Sequence, residues 1–186
     1  MSQITDDVKN ALSSVVQGVG DILSTAQRVA KENVVKAVQG VGGVAVSGIQ
    51  AVDEVVGSGI ETVASTGAAL SDGAAGLVRG AVDGAKEVGV GATEAAGEAA
   101  STAIKTAQRV GADVGEVAIS SVRGAVQAAG DIGEDSGELA KGAVMGAIKA
   151  ADDIGSETGN LVRKALLNAA ALPHDIIDAL LRGKTE

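Results

Sequence analysis

The apolar positions of this chain return with a period of 22 residues. One apolar residue keeps this spacing along most of the sequence: Val16, Val38, Ile60, Val82, Ile104, Val126 and Ile148. Within one unit, apolar or small residues follow at steps of three and four, as at Val82, Ala85, Gly89 and Ala92. Such steps place side chains on one face of an α-helix. The pattern therefore predicts amphipathic helices built from a repeated unit.

The length of the unit also fits a helix. Two elevens make 22, and eleven residues complete three turns at about 3.67 residues per turn, close to the ~3.6 of a straight helix. Longer matches occur at twice the period, where residues 103–111 align with residues 147–155. We therefore predict an all-α protein of long amphipathic helices, arranged as a bent hairpin or an elongated bundle. A β-solenoid is the alternative, but only residues 43–49 approach the alternation that strands need.

Glycine follows the same register as the apolar residues. Each glycine inside a helix costs about 1 kcal/mol relative to alanine, so the 27 glycines need a compensating interaction. Pairs four residues apart put bare backbone on one helix face, which lets a second helix approach closely. The alternative is that glycine loosens helices or marks turns. We predict helix-packing roles for Gly67, Gly80, Gly84, Gly89, Gly111, Gly115, Gly133, Gly137, Gly142, Gly146, Gly155 and Gly159.

Composition divides the chain into four parts. Residues 1–33 are predicted to form an N-terminal amphipathic helix, and residues 34–76 glycine-rich repeats with a bend near residues 71–73. Residues 77–165 hold the most regular repeats, and an unbroken helix over them would be on the order of 130 Å long. Residues 166–186 are predicted to form a C-terminal cap or docking helix. Its apolar face consists of Ile176, Ile177, Leu180 and Leu181.

Composition and charge remove several kinds of function. The chain has no Phe, Trp, Tyr or Cys, one His and a net charge of −9, so basic nucleic-acid surfaces and thiolate chemistry are not expected. His174 follows the only proline at a predicted helix start, where a solvated position is expected rather than a catalytic one. Acidic runs such as residues 131–138 lack the spacing of a calcium loop. We expect no enzyme activity, no cofactor and no bound metal.

The N-terminus bears on location. Residues 1–7 carry acid where a secretory signal would carry base, and no apolar segment follows. The longest uncharged stretch near the centre, residues 37–52, is shorter than a membrane-spanning helix. Cytoplasmic residence is therefore expected.

The 11- and 22-residue phasing with small residues resembles that of amphipathic repeat families, namely late-embryogenesis-abundant proteins, synucleins, perilipins and exchangeable apolipoproteins. Residues 91–108, rich in Ala, Gly, Thr and Glu, look most like the late-embryogenesis type. The resemblance implies a chain that becomes helical on lipid or on drying. Three differences stand against it here: glycine lies in the apolar stripe, lysine is scarce and proline does not separate the units.

Two functional hypotheses follow. The first is a non-enzymatic structural protein that self-assembles through Gly/Ala/Val helix faces into a homo-oligomer, sheath or filament, with a protein partner for the C-terminal helix as a further option. The second is an amphipathic coat on lipid, a polymer granule or another apolar surface or ligand. Glycine in register favours the first hypothesis, because it predicts close helix packing rather than a greasy surface.

Overall fold

The chain folds into helices joined by short turns. The computed structural model describes residues 3–16, 21–40 and 46–182, and within these ranges it has no strand. The prediction of an all-α, elongated helical architecture is confirmed, and the β-solenoid is not found. The helices are α1 (Gln3–Val16), α2 (Ile22–Gln39), α3 (Gly48–Thr66), α4 (Leu70–Glu87), α5 (Ala92–Arg109), α6 (Val114–Ile132), α7 (Ser136–Ile154), α8 (Ser156–Asn168) and α9 (His174–Leu181).

The 22-residue period corresponds to one helix and its following turn. Helices α3 to α7 begin at positions 48, 70, 92, 114 and 136, which are 22 residues apart. The regular repeats expected over residues 77–165 are therefore divided among α4 to α8 and do not form one unbroken helix. The predicted single helix over residues 1–33 is likewise replaced by α1 and most of α2.

Glycines end the helices. Gly67, Gly89, Gly111 and Gly133 have φ between 70° and 84°, and a Cβ added at any of them would meet nothing within 4 Å. Left-handed backbone favours glycine because it has no Cβ, so these four residues terminate helices. Their predicted packing role is wrong. The bend predicted at residues 71–73 is also misplaced. Those residues lie at the start of helix α4, and the chain bends between α3 and α4 at residues 67–69.

The helices stack in two rows. The odd-numbered helices α1, α3, α5 and α7 form one row and the even-numbered helices α2, α4, α6 and α8 form the other. Each helix contacts its sequence neighbours across the rows and the helix two places away within its row. Among the described helices, none contacts a helix more than two places away in the sequence, so all contacts are between near neighbours, as in repeat proteins generally. The matching sequences of residues 103–111 and 147–155 form the C-terminal ends of α5 and α7. These two helices occupy equivalent places in one row.

The core between the rows consists mainly of alanine and valine. Of the repeated apolar residues, Ile60, Val82 and Ile104 are fully buried. Val38, Val126 and Ile148 are partly buried against the same core, and the side chain of Val16 lies outside the described residues. Small side chains release less free energy on burial than Leu or Phe, so this core depends on close approach of the helix backbones.

Side-chain caps fix several helix starts at the same register. The Asp113 carboxylate accepts a hydrogen bond from the Glu116 backbone N at 3.0 Å, and Asp135 accepts one from Glu138 at 3.0 Å. The two capping aspartates are 22 residues apart in sequence. Each such cap contributes about 1 kcal/mol, so the repeat encodes where a helix begins as well as where it ends.

Candidate functional site

Glycines on α4 form a backbone contact with α2. A Cβ at Gly76 or Gly80 would overlap the carbonyl oxygens of Leu23 and Gln27, and one at Gly84 would lie 2.8 Å from the Lys31 carbonyl oxygen. We call the contact of these three glycines with α2 the α2/α4 seam. Bare backbone is required here because any side chain would force the helices apart. The structure thus places Gly80 and Gly84 in a helix contact inside one chain.

A second backbone contact joins α5 and α7. A Cβ at Gly142 would lie 2.5 Å from the Thr93 carbonyl oxygen, and one at Gly146 would overlap the carbonyl oxygen of Gly97. A Cβ at Gly97 would in turn lie 3.2 Å from the Gly142 carbonyl oxygen. We call this contact the α5/α7 seam. Both seams lie within a row, so each joins two helices that are two units apart in the sequence.

The other predicted packing glycines have different surroundings. Gly115 faces Leu161 and Ala165 of α8, and Gly137 faces Ile176 of α9, each with a side-chain atom about 3 Å from an added Cβ. A Cβ at Gly159 would overlap the Asp152 carboxylate. Gly155 joins α7 to α8, and an added Cβ there would meet nothing within 4 Å, so its packing role is wrong.

Several glycines in close contacts were missed from the sequence, and three of them approach a carbonyl oxygen of another helix: Gly76, Gly97 and Gly124. Gly76 belongs to the α2/α4 seam, and a Cβ at Gly124 of α6 would overlap the carbonyl oxygen of Ala75 on α4. The signal was available, because Gly76 lies four residues before Gly80 and Gly124 lies 44 residues after it. A glycine pair within one unit identifies Gly76, and the register across two units identifies Gly124.

Between α3 and α5 the row has a groove instead of a seam. Thr102 stands 44 residues before Gly146, and its Oγ1 donates a hydrogen bond of 2.6 Å to the carboxylate of Asp53. Asp53 in turn stands 44 residues before Gly97. A side-chain hydrogen bond therefore replaces the backbone contact that the α5/α7 seam makes at the same place. We call the resulting cleft of about 490 Å³ the α3/α5 groove.

The walls of the α3/α5 groove differ in charge. Helix α3 contributes Asp53, Glu54 and Glu61, while α5 contributes Lys105 and Arg109. Arg109 forms an ion pair with Glu61 across the groove. The floor holds the hydroxyls of Ser58, Thr102 and Thr106, residues that are each at most 6% exposed. This arrangement can hydrogen-bond a polar group, but it contains no histidine or cysteine to act as a base or nucleophile.

Charged and amide side chains link α2, α4 and α6 across the even row. The Arg79 guanidinium binds both oxygens of the Asp131 carboxylate at 2.5 and 2.7 Å. The Gln27 amide donates to Asp83 at 3.0 Å and to Asp131 at 3.3 Å. We call Gln27, Arg79, Asp83 and Asp131 the Asp83 cluster. The hydrogen bond from Arg79 lowers the pKa of Asp131 and raises that of the guanidinium.

Asp83 is the unusual member of this cluster. It is only 5% exposed, and its Oδ1 is buried with no hydrogen-bond partner among the described residues. Burial raises the pKa of Asp83, because a carboxylate loses hydration in the contact between helices. Sequence reasoning missed this residue, since nothing in the 22-residue pattern distinguishes a buried acid from the exposed ones.

The C-terminal helix packs on the end of the stack. Ile177 is fully buried, and Ile176, Leu180 and Leu181 are partly buried against the core. Helix α9 contacts α7 and α8. The apolar face that the sequence predicted for capping or docking is therefore directed at the chain's own helices. Because glycine commonly follows the last residue of a helix, the sequence predicts that this helix ends at Gly183, which lies outside the described residues.

The described part of the chain shows no metal site and no membrane-spanning helix. No three His, Cys, Asp or Glu side chains lie close enough together there to hold a metal ion. No described helix has both the length and the apolar character that crossing a bilayer requires. Exposed large apolar side chains in the same ranges are limited to Val110, Met145 and Leu161.

Similarity to known proteins is confined to the fold. No family model matches the sequence, and no curated protein matches it. The chain is similar to a de novo designed helical repeat protein whose crystal structure is known, with a TM-score of 0.54 and 18% identity. The match covers 96% of this chain and 95% of that chain. At this identity the likeness concerns the helical repeat architecture alone.

Proposed function

We propose that this chain is a cytoplasmic, non-enzymatic structural protein that associates with further copies of itself through its Gly/Ala/Val helix seams. The observation that carries the proposal is the α2/α4 seam, where three glycines of one helix fit the backbone of another. Each copy contains both halves of this contact. The described helices contact only near neighbours in the sequence, and the outer surfaces are polar. Such a fold suits a spacer or scaffold better than an enzyme with a catalytic pocket.

Association through the seams requires exchange of helices between copies. Within one copy, α4 already holds α2 and α7 already holds α5. When the terminal helices α1 and α2 leave the stack, they uncover Gly76, Gly80 and Gly84, and α2 of a second copy has the matching surface. Exchange of identical elements is a common route to oligomers, because no new contact has to be created.

Mass measurement tests self-association directly. We expect light scattering after gel filtration to give a multiple of the 18.0 kDa chain mass at about 100 µM and a smaller mass on dilution. Mixing donor- and acceptor-labelled copies should give energy transfer as helices exchange. A stable monomer throughout this range would overturn the proposal.

The amphipathic-coat hypothesis receives less support. The apolar residues of the repeat face the core between the rows, so a lipid surface would have to open the stack before contacting them. Liposome flotation combined with circular dichroism separates the two hypotheses. A structural protein should stay in the aqueous fraction with unchanged helicity, whereas a coat would float with the liposomes.

A further inference from the structure

Asp83 lies where three helices of the even row meet. Its Oδ2 accepts a hydrogen bond of 3.0 Å from Gln27 of α2, while its Oδ1 is buried without a partner among the described residues. The neighbouring seam glycines, Gly80 and Gly84, hold α4 against the backbone of α2. Separation of α2 from α4 would therefore expose the Asp83 carboxylate to water.

The charges around Asp83 come from all three helices. On α2, Lys31 attracts the carboxylate, although Lys31 also pairs with Glu87 at 3.2 Å. On α4 itself, Arg79 attracts the Asp83 carboxylate but donates hydrogen bonds of 2.5 and 2.7 Å to Asp131. On α6, Asp131 repels it. Both nearby cations are thus shared with other acids, and burial outweighs their attraction.

Among the helices that the structure describes, α2 is the first of the even row. It contacts α1, α3 and α4, whereas the interior helix α4 contacts helices on both sides within its row. Terminal units of repeat proteins open more readily than interior ones, because they have one neighbour fewer. A small destabilisation of the α2/α4 seam therefore affects the part of the stack that opens most easily.

We propose that Asp83 is a pH-dependent latch on the N-terminal helices, which holds α2 on α4 when protonated and loosens it when ionised. The proton removes the buried charge, and the resulting hydroxyl is a donor that the ionised form lacks. The latch operates within one chain, so it does not depend on association between copies.

The direction of the effect follows from linkage. The pKa of Asp83 is raised in the closed stack, because burial disfavours the charged form. The closed state therefore binds the proton more tightly than the open state does. Closure is favoured at pH values below the ordinary range of the carboxyl, and this advantage is lost as the pH rises through the raised value. The N-terminal helices should be held more firmly at mildly acidic pH than at neutral pH.

Hydrogen exchange of the full chain tests the latch. Amides of α2 are followed by mass spectrometry between about pH 4 and pH 7, with rates corrected for intrinsic exchange, at a concentration where scattering shows a monomer. The readout is the ratio of α2 protection in Asp83→Asn to that in the wild type. We expect this ratio to rise with pH by about tenfold for each unit of pKa difference between closed and open states.

Matched variants identify the origin of the effect. Asp153→Asn removes an exposed acid on α7, and its α2 protection should follow the wild-type profile. If Asp83→Asn does not fold, Asp83→Ala serves, because it also removes the charge from the seam. A ratio that stays constant with pH, or one that falls as the pH rises, overturns the latch. Either result leaves self-association to be judged by the mass measurement.

Discussion

The two sides of α5 show how one register position sets the packing of the stack. Toward α7, Gly146 meets the carbonyl oxygen of Gly97 and the helix backbones touch. Toward α3, Thr102 occupies the place equivalent to Gly146 and hydrogen-bonds Asp53. Helix α5 accordingly packs more closely against α7 than against α3. The same helix, with the same period, makes a backbone seam on one side and a polar groove on the other.

The comparison separates two ways of joining helical units. A glycine contact gains dispersion over a length of backbone, but it tolerates no side chain. A hydrogen-bonded contact keeps the helices farther apart and exposes a cleft of about 490 Å³ with opposite charges on its walls. A repeat protein can therefore carry a rigid region and a more accessible region without changing its period.

The largest expected effect is from a methyl group placed in the α5/α7 seam. A Cβ at Gly146 would overlap backbone, which cannot move as a flexible side chain would. We expect Gly146→Ala to lower the free energy of unfolding by about 2 kcal/mol, even though alanine is the better helix former. Urea denaturation measures this value. An unchanged midpoint would mean that the seam is looser than its geometry indicates.

On the groove side, the side-chain contact is expected to matter less. Thr102→Ala removes the hydroxyl that donates to Asp53, but the carboxylate is exposed and water can replace the lost bond. We expect a loss of about 1 kcal/mol in the free energy of unfolding. The same denaturation series gives the value, and a loss as large as that of Gly146→Ala would remove the distinction between the two sides.

A methyl group added on the groove side should raise the free energy of unfolding instead of lowering it. A Cβ at Gly57 of α3 would lie 3.5 Å from the Thr102 methyl carbon and 3.7 Å from the Thr106 hydroxyl, which are ordinary contact distances. We expect Gly57→Ala to stabilise the protein by about 0.5–1 kcal/mol, because glycine inside a helix is entropically unfavourable. Thermal unfolding by circular dichroism provides the check, and a lower melting temperature would show that the groove has no room.

The smallest effect concerns pH and the even row. Arg79 lowers the pKa of Asp131 in the folded state, so this carboxyl contributes stability above its unfolded pKa and loses it as the pH falls through the lower folded value. Asp131→Asn should therefore reduce acid sensitivity below about pH 4 and weaken the fold slightly at neutral pH. Urea midpoints at several pH values test this. Equal sensitivity in both proteins would contradict a stabilising pair.

Much of the fold could be predicted from the sequence, but the lengths of the helices could not. Residues such as Val82 and Ile104 mark a helical period correctly, because amphipathic spacing is a local property. Whether Gly89 continues a helix or ends it depends on its φ. Glycine occurs both inside helices and at their ends, so the residue type alone does not decide between the two. The glycine register was therefore ambiguous until the turns were located, and the 22-residue unit proved to be one helix with its turn.

The functional surfaces divide in the same way. The pairs Gly80 with Gly84 and Gly142 with Gly146 were identified from spacing, since glycines four apart leave one helix face bare. Their partners were not identifiable, because a helix does not encode which neighbour will approach it. The buried acid Asp83 was missed for a related reason: burial arises from three helices that are distant in sequence.

By itself, the sequence determined that this protein is a chain of amphipathic helices with a fixed unit and with glycine on the packing faces. The spacing of apolar residues depends only on the sequence of each unit, and every unit repeats it. Only the tertiary structure decided that successive units alternate between two rows, that the seams close within one chain, and that Asp83 is enclosed. Those features depend on which backbones meet, and that is settled by packing between units rather than within them.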